Sequence, residues 1–304
     1  MSNLKYVLIT AAKDEELFIE KTIQSVLDQT IKPIRWIIVS DGSTDKTNAI
    51  IEQYKNKNEF IDLIALPPNK ERNFSSKVIA LNQALKKIEG MDFEFIGNLD
   101  ADITPDKNYY EDVCQAFQTN PNLGIAGGLI LDCIDDKVHP QNISLNSVAG
   151  AIQVFRKQCF EKIGYYIPFK YGGEDAYMEI MTRKMGWEVQ TLAKLKVLHH
   201  RPTGTGMGNL FNANIRTGKM FYTLGYSPIF FLVRCFYRLF DKPYLLGSIL
   251  NIVGYSTAWI KNEKCPAGDE FISFVRSEQK ERLKSFLPFQ EKRHVVKTSR
   301  MIKI

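Results

Sequence analysis

Two carboxylates one residue apart, in Asp100-Ala101-Asp102, are the feature of this 304-residue chain that most clearly indicates chemistry. They follow the apolar run Phe93 to Leu99, which predicts a buried strand. Side chains at the C-terminal end of such a strand lie in the crevice where open α/β sheets bind ligands. Carboxylate oxygens suit Mg²⁺ or Mn²⁺, and such a cation needs few protein ligands when a diphosphate supplies the rest. Because solvated turn residues also produce Asp-x-Asp, the neighbouring motifs decide what it means.

The elements that must position these carboxylates can be predicted from the hydrophobic pattern. Over the first 100 residues, short apolar runs alternate with stretches of helical periodicity, and this order predicts a parallel sheet with helices on both sides. Later come a helix, a strand, a less regular stretch to residue 170, a second helix and a final strand. The predicted strands are 6–11, 34–40, 60–66, 93–99, 123–131 and 189–198, and the predicted helices are 17–27, 46–54, 75–88, 106–119 and 175–185.

Charge divides the chain into two parts of different character. Lys and Arg number 24 against 27 Asp and Glu over residues 1–215, but 16 against 7 over residues 216–304. We therefore predict a main α/β domain over 1–215 and a basic, aromatic-rich helical extension over 216–304. Such a tail suits an anionic membrane surface or nucleic acid. Nucleic acid is not expected, because the basic residues stand among apolar runs without a groove-reading motif.

The cysteines and the start of the chain indicate the compartment. The five cysteines are widely spaced and form no Cys-x-x-Cys pair, so we expect reduced thiols rather than disulfides or a zinc site. Met1 to Lys5 leads directly into a predicted strand, so we expect no secretory signal and a cytoplasmic location.

Three common nucleotide-binding signatures are missing. The loop after the first predicted strand contains no glycine, which excludes the Gly-x-Gly-x-x-Gly dinucleotide motif at that point. No Gly-x-x-x-x-Gly-Lys-Ser/Thr sequence occurs, which excludes a P-loop. The Gly-rich, Arg-bearing loop that opens sugar-nucleotide pyrophosphorylases is also absent.

The remaining motifs follow one another between residues 4 and 205. They are Thr10-Ala11-Ala12-Lys13-Asp14-Glu15, Val39-Ser40-Asp41-Gly42-Ser43-Thr44-Asp45, the run Lys77 to Ala84, Asp100-Ala101-Asp102, and Gly172-Gly173-Glu174-Asp175. In order and spacing they resemble the family 2 glycosyltransferases of the GT-A fold, and the Asp-Gly-Ser-Thr-Asp run is the most specific match. Two positions differ from the usual pattern, with alanine instead of proline at position 11 and Asp14 instead of asparagine.

The resemblance implies a GT-A-type, Rossmann-like and mostly parallel sheet flanked by helices, and it implies a role for each matched residue. Asp102 and the strand-end His199 would bind the metal, with His200 as the alternative ligand. Asp175 would be the catalytic base that deprotonates the acceptor hydroxyl, with Glu174 as the alternative base. The residues implied to bind the nucleotide sugar are Ala11, Glu15, Asp41, Lys77, Asp100 and Ala101.

Several of these residues also have structural explanations. Asp41 could accept hydrogen bonds from uracil or guanine, or it could cap the following helix. Glu15 could bind ribose or base, or it could be a first-turn glutamate favoured by the helix dipole. Lys77 and Arg72 could neutralise a diphosphate, although Arg72 is equally well explained as a solvated charge. We interpret the glycine pair before Glu174 as allowing close approach of a substrate to the backbone.

The C-terminal extension contains two apolar stretches, each starting at a proline. Pro228 to Phe240 carries Arg234 and Arg238, and Pro243 to Ile260 has eighteen residues without a charge. Three arrangements remain open: helices packed on the main domain, an interfacial helical hairpin, or a membrane span. The length of the second stretch is borderline for a span, which needs about 20 predominantly apolar residues.

The resemblance implies a metal-dependent, inverting glycosyltransferase that uses Mg²⁺ or Mn²⁺ and a UDP- or GDP-linked sugar. The acceptor would be a hydroxyl of a glycan or lipid-linked glycan in cell-surface polysaccharide synthesis, at the inner face of the cell membrane. Two alternatives remain: a nucleotidyltransferase on a related fold, and a non-catalytic, membrane-associated module that binds sugar nucleotides.

Overall fold

The computed structural model describes residues 4–68, 74–134, 137–141, 144–201, 210–239 and 245–286. The strands are β1 (Tyr6–Ala12), β2 (Arg35–Ser40), β3 (Ile61–Ala65), β4 (Phe95–Asn98), β5 (Ile103–Pro105), β6 (Leu123–Ile134), β7 (Lys137–Pro140), β8 (Val154–Arg156) and β9 (Glu188–His199). The helices are α1 (Ile19–Leu27), α2 (Thr47–Lys55), α3 (Phe74–Ile88), α4 (Tyr109–Thr119), α5 (Lys157–Ile163), α6 (Glu174–Lys184), α7 (Leu210–Thr223), α8 (Pro228–Tyr237), α9 (Leu245–Ile260) and α10 (Gly268–Phe286), and a 3₁₀ turn spans Gly150–Ile152.

One sheet runs through the molecule in the order β3-β2-β1-β4-β8-β6-β9-β5, with β7 paired to β6. The first four strands in this order are parallel, as predicted. Beyond β4 the sheet is mixed, because β8 pairs antiparallel with both β4 and β6, and β5 pairs antiparallel with β9. The description "mostly parallel" is therefore wrong for this half of the sheet.

The stretch before residue 170, predicted as less regular, contains β7, β8 and α5. β8 has three residues, so it is too short to show a hydrophobic period in the sequence. Its insertion beside β4 brings the chain segment around Gly150 next to the end of the Asp100 strand, where Asp100 N–H donates to the Ala151 carbonyl at 2.9 Å.

Helices cover both faces of the sheet, as predicted from the alternation of elements. Successive residues of β1 point to opposite faces, so each face has its own hydrophobic core. Tyr6 and Leu8 pack in a cluster that includes Ile23 of α1 and Val113 of α4. In a second cluster, Val7 and Ile9 pack with Val78 of α3, Met178 of α6 and Phe271 of α10.

The C-terminal helices α7 and α9 pack closely against each other. Gly218 of α7 and Gly254 of α9 lie so near the opposite helix that an added Cβ would collide with the backbone carbonyls of Asn251 and Ile215.

The predicted boundary at residue 215 falls inside α7, and the sequence analysis identified neither α7 nor α10. The predicted start at Pro228 is confirmed, because Ser227 Oγ accepts from Phe230 N–H at 3.2 Å. The predicted start at Pro243 lies outside the described residues. Among the residues described, no helix is both long and apolar enough to cross a bilayer.

Candidate active site

Ten of the site residues predicted from the sequence line one cleft of about 660 Å³. A volume of this order is typical of small-molecule sites. The cleft lies at the C-terminal ends of β1, β2 and β4 and is closed on the far side by α6 and α7. The predicted residues that line it are Ala11, Glu15, Asp41, Lys77, Asp100, Ala101, Asp102, Glu174, Asp175 and His199. Arg72 lies outside the described residues.

The loops that follow β1 and β2 hold each other in place. Asp14 has a left-handed backbone with φ of 53°, a conformation that aspartate and asparagine tolerate better than most residues. Its carboxylate accepts from Thr44 N–H at 2.8 Å, and its own N–H donates to Ser43 Oγ at 3.1 Å. The Ser43-Thr44 part of the Asp-Gly-Ser-Thr-Asp motif is therefore structural, and Asp14 takes part in the same hydrogen bonds.

Asp41 is not the residue that caps α2. The side chain that accepts from Thr47 N–H at the start of this helix belongs to Asp45, at 2.9 Å. The Asp41 carboxylate lies in the cleft with Lys13 Nζ at 3.8 Å. This position agrees with nucleotide recognition and removes the capping explanation.

Asp100 and Lys77 form an ion pair in the centre of the cleft. Lys77 Nζ lies 2.8 and 3.0 Å from the two carboxylate oxygens. Burial raises the pKa of Asp100 in spite of the lysine. Burial would lower the pKa of Lys77, but the negative charges of Asp100 and Glu174 raise it, so the lysine is a permanent cation.

Asp102 is buried beside His199. His199 Nε2 lies 3.4 Å from Asp102 Oδ2, and Nδ1 lies 2.6 Å from Asp132 Oδ1. Burial opposes ionisation of Asp102, but the hydrogen bond from His199 and the charge of Arg201 lower its pKa to about 2. The adjacent His200 faces the other way, with its ring stacked on Phe18 and its Nε2 3.0 Å from Thr104 Oγ1.

Arg201 connects two of the predicted residues. Its Nη2 lies 2.5 Å from Glu15 Oε1 and 2.7 Å from Asp102 Oδ2, and its Nε donates to Asp102 Oδ2 at 2.8 Å. Glu15 is therefore a buried partner of Arg201, four residues before the start of α1 at Ile19, rather than a first-turn glutamate. The sequence analysis assigned no role to Arg201, although it directly follows the histidine pair.

The chemistry of Asp102 and His199 fits a divalent cation. A histidine that binds metal through one ring nitrogen usually donates its other N–H to a carboxylate, as His199 Nδ1 is placed to do toward Asp132. Within the described part of the chain, no group of three or more His, Cys, Asp or Glu side chains is arranged to hold a metal ion. A cation here would thus take most of its ligands from a diphosphate and water, which is usual for Mg²⁺.

Glu174 and Asp175 open α6 and line the opposite side of the cleft. Gly172 and Gly173 before them have φ of 86° and 108°, a left-handed conformation that favours glycine. A Cβ on Gly173 would lie 3.0 Å from Leu224, the residue after α7, and 3.2 Å from Met220 of α7. Packing against α7 and Leu224 therefore accounts for a close approach at Gly173. Gly172 and Gly173 also line the cleft, so the approach of a substrate to this backbone stays a prediction.

The two carboxylates differ in their surroundings. Glu174 is buried, and burial together with the charge of Asp175 raises its pKa to about 6. Asp175 is half-buried, and Gly150 lies so close that a Cβ there would be 2.5 Å from Asp175 Oδ2. Gly150 thus leaves room for the Asp175 carboxylate at the cleft.

A buried residue that the sequence analysis missed holds this region together. Glu179, one helical turn after Asp175, accepts from Val148 N–H at 2.6 Å and from Ser147 Oγ at 2.9 Å. It therefore fixes the segment that leads to Gly150 against α6. Burial raises the pKa of Glu179 to about 7. No sequence motif marks this residue, since its partners lie about 30 positions away.

The profile of Glycosyl transferase family 2 matches residues 7–185, which is more than half of the chain. The chain belongs to glycosyl transferase family 2. Among curated relatives, the poly-beta-1,6-N-acetyl-D-glucosamine synthases of Staphylococcus epidermidis and Staphylococcus aureus strain COL are each 26% identical to it. Each match covers 52% of this chain and 41% of the relative, so the chain spans less than half the length of these synthases.

Solved structures of similar fold include two sugar-nucleotide complexes. The Staphylococcus aureus TarS fragment 1–349 with UDP-GlcNAc has a TM-score of 0.58 and 16% identity, covering 91% of this chain and 83% of that one. The mannosyltransferase PcManGT of Pyrobaculum calidifontis with GDP-Man and Mn²⁺ has a TM-score of 0.53 and 13% identity, covering 93% and 76%. At these identities the likeness establishes the fold alone.

Proposed function

We propose that this family 2 glycosyltransferase is metal-dependent and inverting, and that it transfers a sugar from a UDP- or GDP-linked donor to a hydroxyl of a glycan or lipid-linked glycan. The observation that carries the proposal is the placement of Asp41, Asp102 and Asp175 in one cleft. Asp41 follows β2, Asp102 lies between β4 and β5, and Asp175 lies at the start of α6. Asp41 is placed to bind the nucleobase of the donor, Asp102 its diphosphate, and Asp175 the acceptor hydroxyl.

In the proposed reaction, the acceptor oxygen attacks the anomeric carbon from the side opposite the leaving group. The new carbon–oxygen bond forms as the bond to the diphosphate oxygen breaks, and the nucleoside diphosphate leaves with that electron pair. Asp175 accepts the proton of the acceptor hydroxyl. Asp102 and His199 would hold Mg²⁺ or Mn²⁺, which neutralises charge on the diphosphate when bound. Lys77 and Arg201 add fixed positive charge beside Asp100 and Asp102.

The two other functions considered predict different products. A nucleotidyltransferase would release inorganic diphosphate, whereas a glycosyltransferase releases the nucleoside diphosphate. A non-catalytic module would bind the donor without releasing either product. Family membership and the lack of a Gly-rich phosphate loop after β1 favour glycosyl transfer.

Donor binding tests the proposal directly. We expect a UDP- or GDP-sugar, tested as a panel with Mn²⁺, to raise the melting temperature of the protein, because a ligand that binds only the folded state stabilises it by mass action. Asp41→Ala should weaken this binding about 10-fold, since it removes hydrogen bonds made equally in ground and transition states. The matched control is Asp45→Ala, which alters the neighbouring turn but not the cleft lining.

The result is read from two measurements, the shift in melting temperature and the identity of the released product. Absence of stabilisation by every donor, or release of inorganic diphosphate, would overturn the proposal. Equal donor affinity of wild type and Asp41→Ala would show that Asp41 does not contact the nucleobase of the donor.

We further propose that residues 216–304 attach the enzyme to the inner face of the cell membrane. Apolar residues recur at helical spacing on the outer sides of α8 and α9 and are 47% to 83% exposed: Ile229, Leu232, Phe236, Leu245, Ile249, Val253 and Ile260. Exposed Tyr237 and Trp259 lie next to exposed Arg238 and Lys261. Apolar contact combined with basic residues is what stable peripheral attachment to anionic lipid requires.

Vesicle sedimentation tests the attachment. The full chain should pellet with phosphatidylglycerol vesicles and less with phosphatidylcholine vesicles, and salt should weaken the binding without abolishing it. Phe236→Glu combined with Ile249→Glu should weaken binding by about 100-fold or more, since two large apolar side chains no longer enter the lipid.

Leu17→Glu is the control, because Leu17 is also an exposed apolar residue, at 73%, but belongs to the main domain. If the wild-type chain binds neither kind of vesicle, the proposed attachment is contradicted and a soluble acceptor is favoured.

A further inference from the structure

The buried carboxylate of Glu179 lines the active-site cleft, and the proposed reaction gives it no role. It lies on α6 four residues after the proposed base Asp175, so both side chains stand on the same face of the helix. Its Oε1 accepts from Val148 N–H at 2.6 Å, and its Oε2 accepts from Ser147 Oγ at 2.9 Å. Both oxygens of the carboxylate are thus engaged by a single chain segment, residues 147–150.

The other end of the 147–150 segment touches Asp175. Gly150 packs so closely on this side chain that an added Cβ would be 2.5 Å from Asp175 Oδ2 and 2.7 Å from its Cβ. The Gly150 carbonyl in turn accepts from Asn98 Nδ2 of β4 at 2.5 Å. The segment therefore runs from Glu179 to the end of β4 and forms a surface on which the Asp175 carboxylate rests.

The strength of this attachment depends on the charge of Glu179. Hydrogen bonds to an ionised acceptor are about twice as strong as those between neutral groups. Protonated Glu179 also loses the attraction of Arg183, whose Nη1 lies 3.8 Å from Glu179 Oε2. The neutral form therefore holds the 147–150 segment more weakly than the charged form.

Glu179 changes its charge in the neutral pH range. Burial, together with the charge of Asp175, raises its pKa to about 7, although its hydrogen bonds and the charge of Arg183 oppose the shift. Glu278 of α10 pairs with Arg183 at 2.7 Å, and Tyr226, after α7, keeps its proton because burial raises its pKa. The ionised share of Glu179 therefore increases as the pH rises through about 7.

We propose that Glu179 is a positioning residue of the transfer reaction, which holds the 147–150 segment against α6 and thereby places the Asp175 carboxylate for proton transfer. This inference rests on the proposed function. Because the charged form holds the segment, turnover follows the charge of Glu179, even though the proton of the acceptor goes to Asp175.

The pH dependence of turnover tests this role. Nucleoside diphosphate release is measured with Mn²⁺ and the UDP- or GDP-sugar of the panel that stabilises wild type most, between about pH 5.5 and 8.5. Wild-type turnover should rise with a midpoint near pH 7, where Glu179 loses its proton.

Glu179→Gln keeps the size of the side chain but never carries its charge. The step near pH 7 should therefore disappear, and turnover at the upper end of the range should be about 10-fold lower than in wild type, because the base is less well placed. Donor affinity, measured by calorimetry, should stay within a factor of about two, since the placement of the base matters only in the transition state.

Arg183→Met assigns the step to Glu179. The substitution removes a charge that lowers the pKa of Glu179 and keeps an unbranched apolar side chain. The midpoint should therefore move to higher pH by about 0.2 to 0.7 on the pH scale, as expected for the loss of such an ion pair. A step that came from Glu174 would stay in place, because the charges of Asp175 and Lys77 act on that residue.

Thr191→Val is the matched control for the segment itself. Thr191 is buried, and its Oγ1 donates to the Ser147 carbonyl. Valine has nearly the same shape but cannot donate, so the 147–150 segment loses a contact that does not titrate. Turnover should be lower throughout the pH range, and the midpoint of the step should stay where wild type has it.

Outcomes for the positioning role and for the proposed function are separable. Wild type that releases no nucleoside diphosphate from any donor of the panel overturns the proposed function and the positioning role with it. An active wild type whose pH profile is shared by Glu179→Gln, with only the melting temperature lowered, overturns the positioning role alone. Should Glu179→Gln not fold, Arg183→Met decides the question, and an unmoved midpoint in that variant overturns the role.

Discussion

Asp175→Asn is expected to lower turnover by about 10²- to 10⁴-fold while donor affinity stays within a factor of about two. The amide cannot accept the proton that the acceptor hydroxyl loses, and this proton transfer occurs only in the transition state. The substitution keeps the size of the side chain, so Gly150 can still pack against it. Turnover is measured as nucleoside diphosphate release, and donor affinity by calorimetry.

Glu174→Gln is the comparison that decides which carboxylate is the base. Glu174 is also a candidate for the catalytic base, because its pKa is raised to about 6. A general base works best when its pKa lies near the working pH. If Glu174 only binds the sugar, Glu174→Gln will weaken donor binding and keep most of the turnover at saturating donor. If Glu174→Gln is inactive and Asp175→Asn is active, the catalytic base is Glu174 and not Asp175.

The parts of this site that were predictable from the sequence are those carried by a local pattern. Asp41, Asp100 and Asp102 each follow an apolar run, and a strand end at the edge of a parallel sheet fixes where such residues lie. Helix starts are equally local, as Pro228 and Ser227 show. Asp41, Asp100 and Asp102 therefore line the same cleft.

The parts that were not predictable depend on contacts between distant segments. Arg201 meets Glu15 across 186 positions, and His199 meets Asp132 across 67. Neither partner is distinguished by its neighbours in sequence from an ordinary surface charge. The same holds for Gly172 and Gly173. A glycine pair before a helix favours a left-handed backbone, but the sequence does not reveal that α7 packs against Gly173.

The mixed half of the sheet was missed for a related reason. β5 and β8 each have three residues, and a period of two cannot be recognised over so short a run. β8 pairs with β4 and β6, and β5 pairs with β9. The position of each short strand therefore depends on strands elsewhere in the chain. Short antiparallel insertions are thus a tertiary property, although they place Gly150, Ala151 and Gln153 beside Asp100 and the proposed base Asp175.

Asp102→Asn is the second large effect that we expect. It should lower metal-dependent turnover by at least about 100-fold, because a neutral amide is a much weaker ligand for a hard cation and several kcal/mol of charge stabilisation depend on that cation. Turnover is measured with Mn²⁺ and Mg²⁺ before and after treatment with a chelator. Circular dichroism checks that the fold is retained, since Asp102 also pairs with Arg201 at 2.7 Å.

Asp132→Asn provides a graded control for the same site. Its amide can still contact His199 but no longer supplies the charge, and loss of such an outer partner typically weakens metal binding about 10- to 100-fold. Excess Mn²⁺ should therefore restore activity to Asp132→Asn and leave Asp102→Asn inactive. Full activity of Asp102→Asn with Mn²⁺, or of the wild type after chelation, would contradict the metal assignment. In that case Arg201 and Lys77, the two cations already paired with Asp102 and Asp100, would have to neutralise the diphosphate by themselves.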